Sequence, residues 1–353
     1  MAGGTSAEAA PDDRVSTHAR GRRTQIDKGR LQTFNFQVVD HNRAGTAEDV
    51  TTMSTEELSK YVDSVLRFVP VEVAMRYYDQ QLVGPSGERA YTNSGHEVVQ
   101  LGDQGYEHHF QSCVLFSDIS GFTKLTNRLL KEHGNEGAEI LNGIINKFFE
   151  ELIAIITRHS GDVIKFAGDA VLSIWSSNTH GESIEMLTHR AVACALEQIQ
   201  TLHNWDTKEG VMLQLHLGLG AGKVQGIDLG NPLRREFVVA GEPLKQLSDA
   251  EQQAESGQLV VSPEAWDYVR GHCSGTQVAT DPKFGPGFYV VTKCHDKPPL
   301  PPHWRVILQD QMKATSPPPK SALDNFYVYA PGPMRPHLVS GKLSAASDRK
   351  SVV

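Results

Sequence analysis

The sequence has few of the features that mark disulfide-rich or zinc-binding proteins. It has 4 cysteines in 353 residues. These lie far apart along the chain and form no C-x-x-C pair: Cys113, Cys194, Cys273 and Cys294. Such spacing argues against a zinc site and against a disulfide framework. We therefore expect reduced thiols, most of them packed in the protein interior.

Long apolar runs and an excess of basic residues are lacking as well. No stretch approaches the ~20 apolar residues needed to span a bilayer, and residues 1–25 have no apolar core like that of a signal peptide. The net charge of −8 disfavours a nucleic-acid partner, which requires a basic face. We predict a cytoplasmic protein with no membrane span and no nucleic-acid partner.

Composition and periodicity divide the chain into five segments. Residues 1–50 lack sustained periodicity and are predicted to be a disordered tail. Residues 51–105 contain a leader helix and a connection, whereas residues 106–300 have the pattern of a full domain. Residues 301–322 form a Pro-rich linker. Residues 323–353 repeat an earlier spacing, which predicts the start of a truncated second domain.

The strand and helix pattern within residues 106–300 predicts the fold. Cys113–Phe116 is typical of a buried strand, and apolar positions every three or four residues then predict a long helix that ends near Gly161. The short apolar runs Val163–Phe166 and Ala170–Trp175 predict a hairpin, and a second helix and further strands follow. This order indicates an α+β fold, a ferredoxin-like antiparallel sheet with helices on one face.

Asp118 and Asp169 each follow a short apolar strand in a glycine-containing turn. If the first strand lies beside the hairpin, the two carboxylates converge at one edge of the sheet. Oxygen ligands on rigid strands suit Mg²⁺, and two such ions could clamp the attacking and leaving oxygens of a phosphoryl displacement. The turn Ile119–Thr123 adds backbone N–H groups for a triphosphate. Aspartates are also common turn formers, so these residues alone leave both interpretations open.

Two segments of the sequence resemble the class III adenylate and guanylate cyclases. They are Val114-Leu115-Phe116-Ser117-Asp118-Ile119-Ser120-Gly121-Phe122-Thr123 and Gly161-Asp162-Val163-Ile164-Lys165-Phe166-Ala167-Gly168-Asp169-Ala170. The second segment is most similar to the first catalytic domain of the bicarbonate-responsive soluble adenylate cyclases. The resemblance implies an adenylate cyclase domain over residues 106–300, which converts ATP to 3′,5′-cyclic AMP and pyrophosphate. It also implies that residues 323–353 begin a second cyclase domain.

The resemblance assigns roles to individual residues. It implies that Asp118 and Asp169 are catalytic and that they hold two Mg²⁺ ions together with the carbonyl of Ile119, with Mn²⁺ as a substitute. The implied nucleotide-binding positions are Asp118, Ile119, Ser120, Gly121, Phe122, Thr123, Asp169 and His216. His216 stands where the soluble cyclases carry a lysine that faces the triphosphate, so ATP affinity is expected to differ from theirs.

Lys165 and Val239 belong, by the same resemblance, to a base or regulatory pocket. Adenylate-type members carry lysine at the position of Lys165, where it can donate to the acceptor ring nitrogen of adenine. In the soluble cyclases the matching lysine, the main chain at Val239 and an arginine hold bicarbonate. Ser248 occupies the arginine position here, so bicarbonate is left open as a ligand.

Each active site of this family combines residues of two domains. The positions of the catalytic asparagine and arginine are occupied here by Lys245 and Asp249, and an aspartate would repel the phosphate that an arginine stabilises. We therefore expect the chain to supply the metal and triphosphate half and to need a complementary cyclase domain, the second domain of the same full-length chain. The alternative is a catalytically incompetent domain that senses nucleotide or bicarbonate.

Overall fold

The computed structural model describes residues 69–78, 90–91, 97–100, 105–231, 234–306 and 329. The predicted tail at residues 1–50, the leader helix of the next segment and most of residues 323–353 lie outside these ranges. The domain boundaries assigned to those parts therefore stay predictions. The described residues lie within the compact unit Arg43–Val353.

The described residues form one large sheet with helices packed against it. The helices are α1 (Val71–Tyr78), α2 (Phe122–His133), α3 (Glu136–Arg158), α4 (Ser177–His180), α5 (Ile184–Leu202), α6 (Glu242–Glu251) and α7 (Pro263–Val269). The strands are β1 (Ala90–Tyr91), β2 (Glu97–Gln100), β3 (Gly105–Ser120), β4 (Asp162–Ala167), β5 (Ala170–Ser176), β6 (Trp205–Asp206), β7 (Met212–Asn231), β8 (Arg234–Ala240), β9 (Leu259–Val261), β10 (Cys273–Gln277) and β11 (Tyr289–Cys294). None of these helices has the length and apolar content to cross a membrane.

The centre of the sheet has the strand order β4-β5-β3-β7. Strand β3 pairs antiparallel with β7 along its whole length and with β5 from Ser112 to Ser117. Along the chain, β3 is followed by α3, the β4–β5 hairpin, α5 and β7. This order and these pairings confirm the predicted α+β, ferredoxin-like class. The sheet also contains a parallel pair, in which Leu217–Leu219 lies beside β9.

Alternation along β7 directs its side chains to two different environments. The odd-numbered leucines, from Leu213 to Leu219, belong to the main core with residues of α3 and α5. The even-numbered Gly218 and Gly220 lie against α6, where a Cβ would overlap the carbonyl oxygens of Leu247 and Pro243. Helix α6 therefore packs on the face opposite α3 and α5, which adds a second layer to the one-sided arrangement predicted from the sequence.

The sheet and its packing extend past both predicted limits of the domain. Strands β1 and β2 pair with each other, and β2 pairs with β3, so residues before 106 also contribute to the sheet. At the other end, Trp304 is buried, and Ser160 Oγ donates to the carbonyl of Pro301 at 2.6 Å. The first residues of the predicted linker are therefore packed against the domain.

Candidate active site

The turn after β3 requires a glycine. Gly121 has a φ of +102°, and a Cβ there would lie 2.9 Å from the carbonyl oxygen of Met212, so a larger residue would be strained and crowded. Helix α2 begins directly afterwards with Gly121 as its N-cap residue and without a capping side chain. Its first N–H groups therefore have no intrahelical or side-chain acceptor and can bind an anion. Ile119, just before the turn, is buried.

The second predicted acid, Asp169, lies in the tight turn of the β4–β5 hairpin. Ala167 and Ala170 are paired, so Gly168 and Asp169 form a two-residue connection in which Gly168 has a φ of +68°. The pairing of β5 with β3 reaches Val171, which is two residues after Asp169 and lies opposite Ser117. Asp118 and Asp169 therefore lie at the same end of neighbouring strands, as the sequence pattern predicts. The charge of Asp169 also raises the pKa of Asp118, as expected for neighbouring carboxylates.

His216 is the cross-strand neighbour of Asp118 on β7. Its Nε2 lies 3.1 Å from Asp118 Oδ2 and 2.9 Å from Glu251 Oε1, while its Nδ1 lies 3.3 Å from Ser120 Oγ. One imidazole ring thus links β3, β7 and α6 at the site. Glu251 is a residue that the sequence pattern did not indicate, because it reaches the site only through the packing of α6 on the glycines of β7.

The charge of Asp118 is poorly stabilised by its surroundings. Desolvation raises the pKa of this carboxyl most, and the negative charges of Asp169 and Glu251 raise it further, against the opposing effect of His216. Single ligand atoms of Asp118, His216 and Glu251 lie within 4.8 Å of one another. A hard divalent cation prefers carboxylate oxygens and would relieve this repulsion. The residues present therefore fit a divalent metal ion.

The two residues of the predicted base or regulatory pocket lie on different parts of the sheet. Lys165 is exposed on β4, whereas Val239 is buried on β8, opposite Gly226 of β7. Strands β5, β3 and β7 lie between them. Ser248, at the position expected for an arginine, is exposed on α6 and lies 3.3 Å from the amide nitrogen of Gln252. A shared pocket for Lys165 and Val239 stays a prediction.

Helix α6 also carries the positions of the complementary catalytic residues. Lys245 is exposed and lies 4.0 Å from the carboxylate of Glu242. Asp249 is partly buried, and its main-chain carbonyl accepts a hydrogen bond from the Gln253 side chain at 2.8 Å. The helix is therefore positioned next to the site, since Glu251 contacts His216, but it presents an acid where the resemblance calls for an arginine.

Comparison with known proteins decides the family. The model of the adenylate and guanylate cyclase catalytic domain matches residues 105–283, about half of the chain. The chain belongs to this family. The resemblance drawn from the two motifs is thereby confirmed, and both aspartate turns lie inside the matched range.

Curated relatives and solved structures with partial similarity to this chain are cyclases. Adenylate cyclase type 10 of Oryctolagus cuniculus is 28% identical over 159 residues, which cover 45% of this chain and 10% of the relative. The human protein of the same name is 27% identical over 159 residues with the same coverage, so the matched part spans about a tenth of these relatives. Among solved structures, the guanylyl cyclase domain of the RhoGC fusion protein of Blastocladiella emersonii is 20% identical at a TM-score of 0.45 and covers 53% of this chain and 98% of that one. The adenylyl cyclase CyaB of P. aeruginosa has the same identity and TM-score, with coverages of 54% and 97%.

Proposed function

We propose that this domain is an adenylate cyclase that forms 3′,5′-cyclic AMP and pyrophosphate from ATP. The observation that carries the proposal is the meeting of Asp118 and Asp169 at one edge of the sheet, where Asp118 is desolvated and surrounded by like charge. Membership of the cyclase family supports the reaction type. The relatives named adenylate cyclase type 10 favour ATP over GTP.

The residues of the site have distinct tasks in this reaction. Asp118, Asp169 and the carbonyl of Ile119 would hold two Mg²⁺ ions, which when bound activate the ribose 3′-hydroxyl and neutralise charge on the phosphates. The backbone N–H groups of residues 121–123 donate to oxygens of the triphosphate. His216 is held beside Asp118 and can turn its ring N–H from a carboxylate to a phosphate oxygen.

The other half of the active site has to come from a second cyclase domain. Asp249 on α6 would repel the negative charge that develops on the phosphate, so this helix does not suit a homodimeric site. The sheet face with Asp118 also carries Phe116 and Leu172, which are cross-strand neighbours and only half-buried. Apolar side chains around a charged centre are typical of a protein interface. We propose that the complementary domain belongs to the same full-length chain.

Reconstitution tests this proposal. The chain is mixed with a complementary cyclase domain that contributes the asparagine and arginine, and cyclic AMP and cyclic GMP are quantified by mass spectrometry with ATP or GTP and Mg²⁺. Activity is expected only in the mixture and only with ATP. Asp118→Asn and Asp169→Asn should each lower the rate at least about a hundredfold, because several kcal/mol of charge stabilisation are lost.

A matched acid serves as the control for these variants. Asp206 is exposed on β6 and pairs with Lys208, so Asp206→Asn should leave the rate unchanged. Full turnover in either site variant would overturn the metal assignment. Cyclic GMP as the main product would overturn the choice of ATP while leaving the cyclase assignment intact.

A nucleotide- or bicarbonate-sensing domain without turnover is the second candidate. It is favoured by the contact of His216 with Asp118 and by the acid at Asp249. Calorimetric titration of the full-length tandem chain with ATP and with bicarbonate distinguishes the two functions. Binding of either ligand without cyclic AMP formation would support the sensing role, and turnover would exclude it.

A further inference from the structure

Two cysteines that are distant in the sequence meet at the end of the last hairpin. Cys273 begins β10, Cys294 ends β11, and the two are direct cross-strand partners. The N–H of His295 donates to the carbonyl of His272 at 2.8 Å, so the cysteines form a non-hydrogen-bonded pair, the type in which side chains are closest. Their sulfur atoms lie 3.3 Å apart, and both thiols are free.

His189 of α5 completes a group of three donors with this pair. One of its ring nitrogens and the two sulfurs lie within 4.8 Å of one another. The His189 side chain is 3% exposed, and its Nε2 is buried without a hydrogen-bond partner. A buried polar atom left unsatisfied costs on the order of 1–3 kcal/mol, and a bond from this nitrogen to a metal ion would offset that cost.

Asp296 lies at the outer side of the same group. Its Oδ1 is 3.8 Å from His189 Nε2, and its Oδ2 is 3.2 Å from Nδ1 of His272, whose ring stacks on that of His189. More than half of the Asp296 side chain is exposed. The carboxylate can therefore serve as a fourth donor once it turns toward the sulfurs, and its exposure provides a path of entry from solvent.

The distances suit a metal ion better than the other uses of two thiols. A disulfide needs sulfurs about 2.05 Å apart and would leave Nε2 of His189 unsatisfied. Tetrahedral zinc, with Zn–S of about 2.3 Å and Zn–N of about 2.0 Å, places its two sulfurs about 3.8 Å apart. The observed 3.3 Å requires only a small separation of the two strand ends. A zinc ion would also bind the buried ring nitrogen of His189.

We propose that Cys273, Cys294 and His189 bind one zinc ion, with the carboxylate of Asp296 as the fourth ligand. Each thiol loses its proton on binding, so one Zn²⁺ enters as two protons leave. The ion would join α5, which packs on the central strands, to the β10–β11 hairpin. The site is separate from the aspartate turns and does not depend on the proposed cyclase activity.

The pKa shifts of the three proposed ligands differ in direction. Burial lowers the pKa of His189, which keeps the imidazole neutral as a metal ligand requires. The hydrogen bond between the thiols lowers the pKa of Cys294 and raises that of Cys273.

Metal analysis of the full chain, purified under reducing conditions without chelator, tests the proposal. We expect about one zinc per chain, and after exchange with Co²⁺ a thiolate-to-cobalt charge-transfer band in the near ultraviolet. The Asp118–His216–Glu251 group has no sulfur, so cobalt bound there gives no such band. The Cys273→Ser/Cys294→Ser variant should lose both the zinc and the band, and Asp296→Ala should weaken zinc binding about tenfold or more.

Three further variants make the outcome unambiguous. Cys113→Ala and Cys194→Ala remove buried thiols of the main core and should retain the zinc and the band. Where the double serine variant does not fold, His189→Gln keeps a polar side chain in place and should still lose zinc. Absence of the cobalt band in the wild-type chain, zinc retained by His189→Gln, or a mass lower by two hydrogens that reports a Cys273–Cys294 disulfide would each overturn the proposal.

Discussion

Replacement of Asp118 by asparagine should stabilise the folded domain while it abolishes metal binding. The side chain keeps its shape but loses its charge. The pKa of Asp118 is raised by desolvation and by the charges of Asp169 and Glu251, so the ionised carboxylate is less stable in the folded protein than in the unfolded chain. Removal of that charge therefore relieves a repulsion that the folded state carries.

The distances set the expected size of this effect. The ligand atoms of Asp118 and Glu251 lie within 4.8 Å. At that separation the repulsion between two unit charges is about 3 kcal/mol at an effective dielectric of about 20 and about 1 kcal/mol in water. Both side chains are about one-quarter exposed, and His216 offsets part of the repulsion when protonated. We expect a net gain of about 1 kcal/mol at pH 8, which corresponds to a rise in Tm of about 2–4 °C.

Thermal unfolding with and without Mg²⁺ provides the assay. Without metal, wild-type stability should fall as the pH rises from 3.8, the ordinary pKa of an aspartate, to the raised pKa of Asp118 in the folded protein. In this range the folded state holds a proton that the unfolded chain has already lost. The dependence of stability on pH should be weaker in Asp118→Asn. Mg²⁺ at ten times its Kd should stabilise the wild type by about 1.4 kcal/mol and leave the variant unchanged. A variant that is less stable than the wild type, yet gains equally from Mg²⁺, would refute this reasoning.

Further predictions concern the turn, the imidazole and the pH dependence of metal binding. Gly121→Ala should cost about 1–3 kcal/mol in urea unfolding because of its positive φ and the Met212 carbonyl. Gly143 is an exposed position of α3 with open space around it, so Gly143→Ala should be neutral or stabilising. Equal costs for the two variants would contradict the turn geometry. His216→Lys should lower KM for ATP in the reconstituted enzyme, since an ammonium group binds phosphate oxygens, and an unchanged KM would remove His216 from the triphosphate site. Mg²⁺ affinity measured by calorimetry should fall on acidification at a higher pH than for an ordinary aspartate, because the pKa of Asp118 is raised; a fall only near pH 4 would show that its surroundings have no effect.

The central fold and the aspartate pair could be predicted because local patterns specify them. The apolar spacing of α3 and the two short runs of the β4–β5 hairpin each point to one structure. Once β3 lies beside β5, the turns that follow them share one edge of the sheet. The positions of Asp118 and Asp169 then follow from strand geometry.

Contacts that depend on packing between distant segments could not be predicted in this way. Glu251 reaches His216 because α6 rests on Gly218 and Gly220, and glycines in a strand do not reveal which helix covers them. All four described cysteines are free thiols, as expected, but the argument against a zinc site considered only their spacing in the sequence and did not foresee that Cys273 and Cys294 meet. Strand register, which the sequence pattern does not specify at that hairpin, brings them together.

The most direct measurement is an anomalous-scattering map of the chain crystallised with Mn²⁺ and a non-reactive ATP analogue. Anomalous peaks between the carboxylates of Asp118 and Asp169, next to the triphosphate, are the expected result. A map in which manganese avoids these two residues, while the nucleotide is bound, would contradict the account.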